Sequence, residues 1–155
     1  MKRLLSILTI GFLVLSCNQA PKQTSPVAVQ EENAAAPARD GVFIHITAGY
    51  DDPHRALMPL KMATIMASDK DVLVYLDIHA VQLVKKDTKD LTFAEFESAQ
   101  TYIKKLIEMN VVVCACPTCM KVAGMEPEDL MDGVQVAMKD KFFSFTKGRI
   151  LALDY

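Results

Sequence analysis

The sequence predicts an α/β protein: a three-layer αβα sandwich around a mostly parallel five-stranded sheet. Three observations carry that prediction. From Gly41 onward, short β-rich runs alternate with amphipathic segments in the order β-α-β-α-β-α-β-α-β. Residues 72–76 and 111–113 are almost wholly apolar, as suits parallel strands covered on both faces. Each run is closed by glycine, proline, aspartate or asparagine, the residues that end regular structure.

The first strand is read over residues 42–47 and ends at Ala48-Gly49. Asp52 then caps a helix that begins with Pro53, where a missing amide costs nothing. The helix is expected to reach Ser68, with Leu57, Leu60 and Thr64 on one stripe and Met58, Met62, Ile65 and Met66 on the next. Pro59 should bend it, because packing must override about 3 kcal/mol of helix propensity there. The methionines at spacing four are read as core packing in preference to a copper stripe. Residues 72–76 form the second strand, and a loop continues through Asp77 and His79 to Leu91. The charges from Lys85 to Asp90 are a solvated face. Thr92-Phe93-Ala94-Glu95 has the form of a capping box and is expected to open the second helix. Phe96, Ala99, Ile103, Leu106 and Ile107 give that helix a core-facing stripe, and Asn110 closes it.

Residues 111–113 form the third strand and deliver the chain to Cys114-Ala115-Cys116-Pro117-Thr118-Cys119. Pro117 begins a short helix to Ala123, stopped by Gly124. A further helical turn over 127–131 leads through Asp132-Gly133 to a fourth strand at 134–138. Residues 139–147 are expected to be helical, with Phe142, Phe143 and Phe145 available to pack, and 150–153 make the fifth strand. Right-handed crossovers between such strands give a flavodoxin-like parallel sheet. Gly49-Tyr50-Asp51-Asp52, however, lacks the glycine spacing of a phosphate loop.

At 155 residues the chain allows one folded domain, assigned to 41–155. Ahead of it, Lys2 and Arg3 precede an apolar run from Leu4 to Leu15 that is too short to cross about 30 Å of hydrocarbon. Val14-Leu15-Ser16-Cys17 resembles a bacterial lipobox, so residues 1–17 are read as a lipoprotein signal and Cys17 as the lipidated residue. Residues 18–40, rich in Gln, Pro, Ala, Ser and Glu, make a disordered tether. The expected location is the bacterial cell envelope, periplasmic or on the outer surface, held by acyl chains on the oxidising side of a membrane. Removing Lys2 and Arg3 with the signal lowers the basic count from 17 to 15 against 19 acids, a net charge of −4. That charge offers no basis for binding nucleic acid.

With Cys17 assigned to the lipid, three cysteines remain within six residues, and three cannot all pair internally. The cluster is therefore chemical or metal-binding, unless its small apolar side chains merely fill space. Functional groups in open α/β sheets gather beyond the carboxyl ends of the strands, at the switch point. The segments 47–54, 77–79 and 114–119 are expected to meet there. Because Pro117 starts the helix, Cys116 falls at the N-cap and Cys119 at the third helical position, where free amides should depress both thiol pKa values. Cys114 belongs to the strand end and should be buried and least reactive. The C-P-T-C spacing also permits a local disulfide.

From Gly41 to Leu153 the chain resembles the DsrE/DsrF-like family of sulfur-relay proteins. The resemblance rests on the first strand followed by Asp51-Asp52-Pro53 and Arg55-Ala56, the second strand, the Cys114–Cys119 segment, Gly124-Met125 and Gly133-Val134. It implies a persulfide-carrying cysteine eight residues before the helix-ending glycine, which maps onto Cys116, or five before it, which maps onto Cys119. It also implies a homo-oligomer, a trimer or hexamer, with the cysteine loop near subunit contacts.

The expected activity is thus sulfur transfer or thiol redox chemistry, with the enzyme class, sulfurtransferase or thiol oxidoreductase, left open. Cys116 would attack a sulfur donor or disulfide, and Cys119 would resolve or receive the product. His79 or His54 could assist as a base, and no cofactor is expected. Two alternatives stand beside this reading. Three thiolates with a nearby histidine or methionine suit zinc or copper(I), although no fourth ligand lies at motif spacing. A binding module could instead keep the fold and present the loop to a partner without turnover.

Overall fold

The computed structural model describes residues 37–155, so the signal segment, the proposed lipid site Cys17 and most of the tether lie outside the described residues. Five strands and four α-helices follow in the expected alternation. They are β1 (Gly41–Ile46), α1 (Pro53–Met66), β2 (Asp71–Leu76), α2 (Ala99–Glu108), β3 (Val112–Ala115), α3 (Pro117–Val122), β4 (Gln135–Val136), α4 (Lys141–Ser144) and β5 (Ile150–Asp154). Every strand pairing is parallel, and the spatial order is β4-β3-β2-β1-β5.

That order determines where the helices lie. β1 to β4 step across the sheet in one direction, so right-handed crossovers place α1, α2 and α3 on a single face. The return from β4 to β5 runs the opposite way and puts α4 on the other face. Strand alternation agrees. Val42, Ile44 and Ile46 of β1, Val72, Val74 and Leu76 of β2, and Val113 and Ala115 of β3 join one buried core with Leu57, Leu60, Ile103, Leu106 and Met120. The intervening residues Phe43, His45, Tyr75 and Cys114 point the other way. There the helical layer is thin: it consists of the four-residue α4, whose Phe142 meets Phe43 and Tyr75 edge-on.

Local signals account for most element ends. Asp52 accepts a hydrogen bond from the Arg55 amide at 3.2 Å, and Pro53 stands at the first turn of α1. Pro59 lies inside α1 and is buried against the core, so packing offsets its missing amide. Asn110 and Gly124 both take left-handed backbone angles just after α2 and α3, which releases the chain into the next segment. The folded domain also reaches slightly upstream of Gly41. Asp40 forms an ion pair with Arg149 at 2.6 Å, and Arg39 donates to the Lys70 carbonyl at 2.7 Å.

Four details differ from the sequence reading. The Thr92 box does not open α2: Ala94 has a φ of 45°, and the helix starts six residues later on a Ser98 cap. Asp90 accepts from the Gln100 amide at 3.0 Å and secures that later start, while Phe93 and Phe96 cover the beginning of α1. The supposed loop after β2 contains a 3-10 turn, Ala80–Val84, with four buried residues. β4 and α4 are both shorter than their sequence patterns suggest. Finally, the reversal of strand order falls between β1 and β5, two strands away from β3, so the cysteine segment does not stand at the switch point. Among the described residues, no helix is long and apolar enough to cross a membrane.

Candidate functional site

β3 ends in Cys114 and Ala115, and the Cys116 amide then bonds the Leu76 carbonyl of β2 at 2.9 Å, which carries the ladder one residue further. Pro117 turns the chain into α3. Cys116 is the N-cap, and its sulfur accepts from the Cys119 amide at 3.5 Å. The carboxyl ends of β1, β2 and β3 are adjacent, so the segments after them share one edge of the sheet. All three cysteines of the segment are free thiols.

Their environments differ sharply. Cys114 is buried on the thin-layered face and directs its thiol to the Val74 carbonyl at 3.5 Å; burial pushes its pKa up to about 12. Burial also raises Cys116, but it is outweighed. The Tyr75 phenol, the Cys119 amide and thiol, and the Thr118 amide together hold Cys116 below the ordinary thiol range. Cys119 moves the other way. Burial raises it, the Ile78 amide only partly compensates, and the negative charges of Cys116 and Asp77 add to the rise. The helix start predicts depression of both thiols; it holds for Cys116 alone, since burial and the charge of Cys116 raise Cys119.

Cys119 opens onto a groove of about 310 Å³ lined by Ile78, His79, Gln82, Val122 and Ala123. Ile78 is notable in its wall. A β-branched residue at φ 46° is strained, and here the strained residue supplies the amide that faces Cys119. The loop beneath it is pinned by close packing: a Cβ on Gly49 would stand 2.7 Å from the His79 carbonyl oxygen.

The two candidate bases separate. His79 lines the Cys119 groove, and its Nδ1 pairs with Asp51 Oδ2 at 2.8 Å. This bond, with one from the Gly49 amide, holds the Asp51 carboxyl down at about 2. His54 belongs to a different cluster, with its ring packed on Phe93 at 5.8 Å and Phe96 at 5.5 Å. For the metal alternative, Cys114 turns its thiol to the Val74 carbonyl, and among the described residues no three His, Cys, Asp or Glu side chains gather to hold a metal ion.

A third histidine escaped the sequence reading. His45 on β1 has its Nδ1 2.8 Å from Asp154 Oδ1 of β5. Its Nε2 lies 3.0 Å from Asp77 Oδ2, in a bent contact held by charge more than by a straight hydrogen bond. Burial would lower the His45 pKa, yet the two carboxylates overcome it and raise the value. The imidazole stacks on Tyr75, with centroids 5.4 Å apart. A continuous set thus runs Tyr75, His45, Asp154 across β2, β1 and β5, with Cys116 just past the end of β3 beside it. No local spacing announces it. The one signal is strand alternation, which puts His45 and Tyr75 on the same face as Cys114.

Solved structures with this fold include the ychN protein from E. coli, which aligns with a TM-score of 0.61 and 22% identity over 76% of this chain and 99% of its own. MTH1491 from Methanobacterium thermoautotrophicum, a protein of unknown function, aligns with a TM-score of 0.51 and 18% identity over 74% of this chain and 99% of its own. In sequence, the uncharacterized protein MJ0989 of Methanocaldococcus jannaschii is 29% identical over 94 residues, covering 60% of this chain and 80% of the relative. The DsrE/DsrF-like family model matches residues 40–145, and the chain belongs to that family.

Proposed function

We propose that the protein is a cysteine-based sulfur carrier in which Cys116 takes up sulfane sulfur as a persulfide. One observation carries this reading above the others: within a single helical turn, one thiol is favoured as the anion and its neighbour is kept protonated beside an open groove. The anion, not the thiol, is the nucleophile. The Cys116 thiolate attacks the outer sulfur of a donor persulfide, R–S–SH, forming Cys116–S–SH and releasing R–S⁻. An acceptor thiolate then attacks that outer sulfur, takes it as its own persulfide and restores Cys116. Family membership supports a sulfur-relay role in general terms.

Cys119 sets the limit of this chemistry. If its thiolate attacked the inner sulfur of the Cys116 persulfide, a Cys116–Cys119 disulfide would form and hydrosulfide would leave. The charge of Asp77 and of the neighbouring sulfur disfavours that thiolate, which supports carriage over release. The same adjacency favours a second reading, thiol–disulfide exchange through the pair, since the Cys119 amide already reaches the Cys116 sulfur at 3.5 Å. In our reading the protein works from the bacterial cell envelope, lipid-anchored through Cys17, and assembles as a trimer or hexamer.

The test is a persulfide trap. Reduced protein is treated with polysulfide, alkylated, and mapped by mass spectrometry, with Cys116→Ser and Cys119→Ser in parallel. The expected result is an added sulfur of about 32 Da on Cys116 in wild type and in Cys119→Ser, and none in Cys116→Ser. A Cys116–Cys119 disulfide with hydrosulfide release would favour the second reading. No adduct on either cysteine sinks the carrier.

A further inference from the structure

Tyr75 occupies an unusual place for an aromatic residue. It stands in the middle of the sheet, in register with Cys114, and the Cys116 amide carries that ladder on to the Leu76 carbonyl, so alternation sets Cys116 diagonal to Tyr75 on the same face. Its ring is fixed from several sides. His45 stacks on it at 5.4 Å and 30°, Phe43 lies nearly parallel at 6.1 Å and 27°, and Phe142 of α4 meets it edge-on at 5.1 Å and 89°. His45 is itself clamped by Asp77 and Asp154. The thin helical layer therefore supplies one short helix where it abuts this ring. An aromatic ring so enclosed has lost its rotational freedom during folding, so its hydroxyl costs no further ordering when it acts.

We propose that Tyr75 is the donor that holds Cys116 as the sulfur-accepting nucleophile, its phenol closing into a full hydrogen bond when the thiol ionises. The assignment rests on the reading of Cys116 as that nucleophile. A phenol suits the task because a charge-assisted hydrogen bond to an anion is stronger than one to a neutral thiol, so the contact favours the ionised form selectively. Burial and the neighbouring negative charges keep the Tyr75 proton in place, which leaves the residue a donor across the whole working range of pH. The other groups near Cys116 and Tyr75 have separate roles. The Thr118 and Cys119 amides from α3 and the Cys119 thiol favour the anion at Cys116, Asp77 after β2 raises Cys119 and Tyr75, and His45 of β1 with Asp154 of β5 stands behind the Tyr75 ring. When protonated, the His45 imidazole balances charge on Asp77 and Asp154, the two carboxylates that raise its pKa. His45 is a positioning residue in this scheme.

The test is the pH profile of Cys116 alkylation in the full chain, read peptide by peptide so that each cysteine reports separately. In Tyr75→Phe the ring and its packing remain and only the hydroxyl is lost. The midpoint for Cys116 should rise by about one pH unit, the size expected for losing one charge-assisted hydrogen bond. The rate below the midpoint should fall several-fold, and the high-pH plateau should stay level or rise slightly, because a more basic thiolate is the better nucleophile. Site-specific 3-fluorotyrosine at position 75 makes the phenol a stronger donor and should move the midpoint down. This opposite shift separates donation from packing and serves if Tyr75→Phe folds poorly. A midpoint that moves in neither variant overturns the assignment. Polysulfide uptake by wild-type protein is measured alongside. Uptake with an unmoved midpoint removes Tyr75 and leaves the carrier, while a moved midpoint without uptake removes the carrier and leaves Tyr75 as the thiolate's donor.

Discussion

The two faces of the central sheet are built from alternate residues of the same strands, yet they answer different demands. The face under α1, α2 and α3 is aliphatic and sealed: Ile44, Ile46, Val74, Leu76, Val113 and Ala115 have no exposed surface. The face toward α4 buries Leu73 but also carries Phe43, His45, Tyr75 and Cys114, with rings and charges in contact and a single short helix as cover. Leu76 and Tyr75 are chain neighbours that belong to opposite regimes. The lesson is that the sealed aliphatic core and the aromatic and titratable side chains are separated here by the pleat of the sheet, in addition to position along the chain.

Substitutions on each face can break that comparison. The largest effect is expected from Leu76→Ala, which empties a site with no exposed surface and should cost about 2–5 kcal/mol in urea unfolding. Tyr75→Phe, one residue away, should cost well under half of that; equal losses would show that the second face is core as well. Gly49→Ala comes next. Its new Cβ would meet the His79 carbonyl oxygen at 2.7 Å, backbone that cannot swing aside. About 1–3 kcal/mol should be lost, and the loop bearing Ile78 should shift. Faster alkylation of Cys119 in that variant, as the groove wall moves away, is the second readout.

A smaller effect concerns pH. The folded-state pKa of His45 is raised, so its contribution to stability is fully present below the unfolded value of about 6.5 and is lost as pH rises through the folded value. Urea midpoints should fall between pH 5.5 and pH 8.5, and His45→Gln should remove that part of the slope. A wild-type midpoint that climbs over the window would contradict the clamp. The smallest effect is Ile78→Gly. Relief of a β-branched side chain at φ 46° opposes the entropy glycine adds to the unfolded chain, so the net change should stay within about 1 kcal/mol. A loss above 2 kcal/mol would mean that the half-exposed Ile78 side chain packs more than its surface suggests.

Much of the first face was legible in the sequence because its rules are local. Apolar runs marked β1, β2 and β3, Asp52-Pro53 marked the start of α1, and Pro117 with Gly124 bounded α3. The Thr92 box misled because two serine or threonine caps compete six residues apart. The choice of Ser98 depends on Asp90, Tyr102 and the packing of Phe93, contacts made only in three dimensions. The cysteine segment was visible as a motif, but the ordering of its thiols was not. Helix position alone favoured Cys116 and Cys119 equally, and the difference comes from Tyr75 and Asp77, which reach the sulfurs across strands. His45 lay hidden for the same reason. Its partners Asp77 and Asp154 are 32 and 109 residues away in the chain, and only strand register brings them together.

The position of β5 beside β1 has a kinetic consequence. β1 and β2 pair residues such as Gly41 and Asp71, thirty apart, whereas His45 reaches Asp154 across 109 residues. Closing the longer loop costs about 1 kcal/mol more in chain entropy, so β5 should dock after β1, β2 and β3 have assembled. One carboxylate of the His45 clamp therefore arrives with the last strand. Until then the imidazole has a single acidic partner, Asp77. The order in which strands join thus sets when the charge network behind Tyr75 is complete, which is only once the sheet is closed.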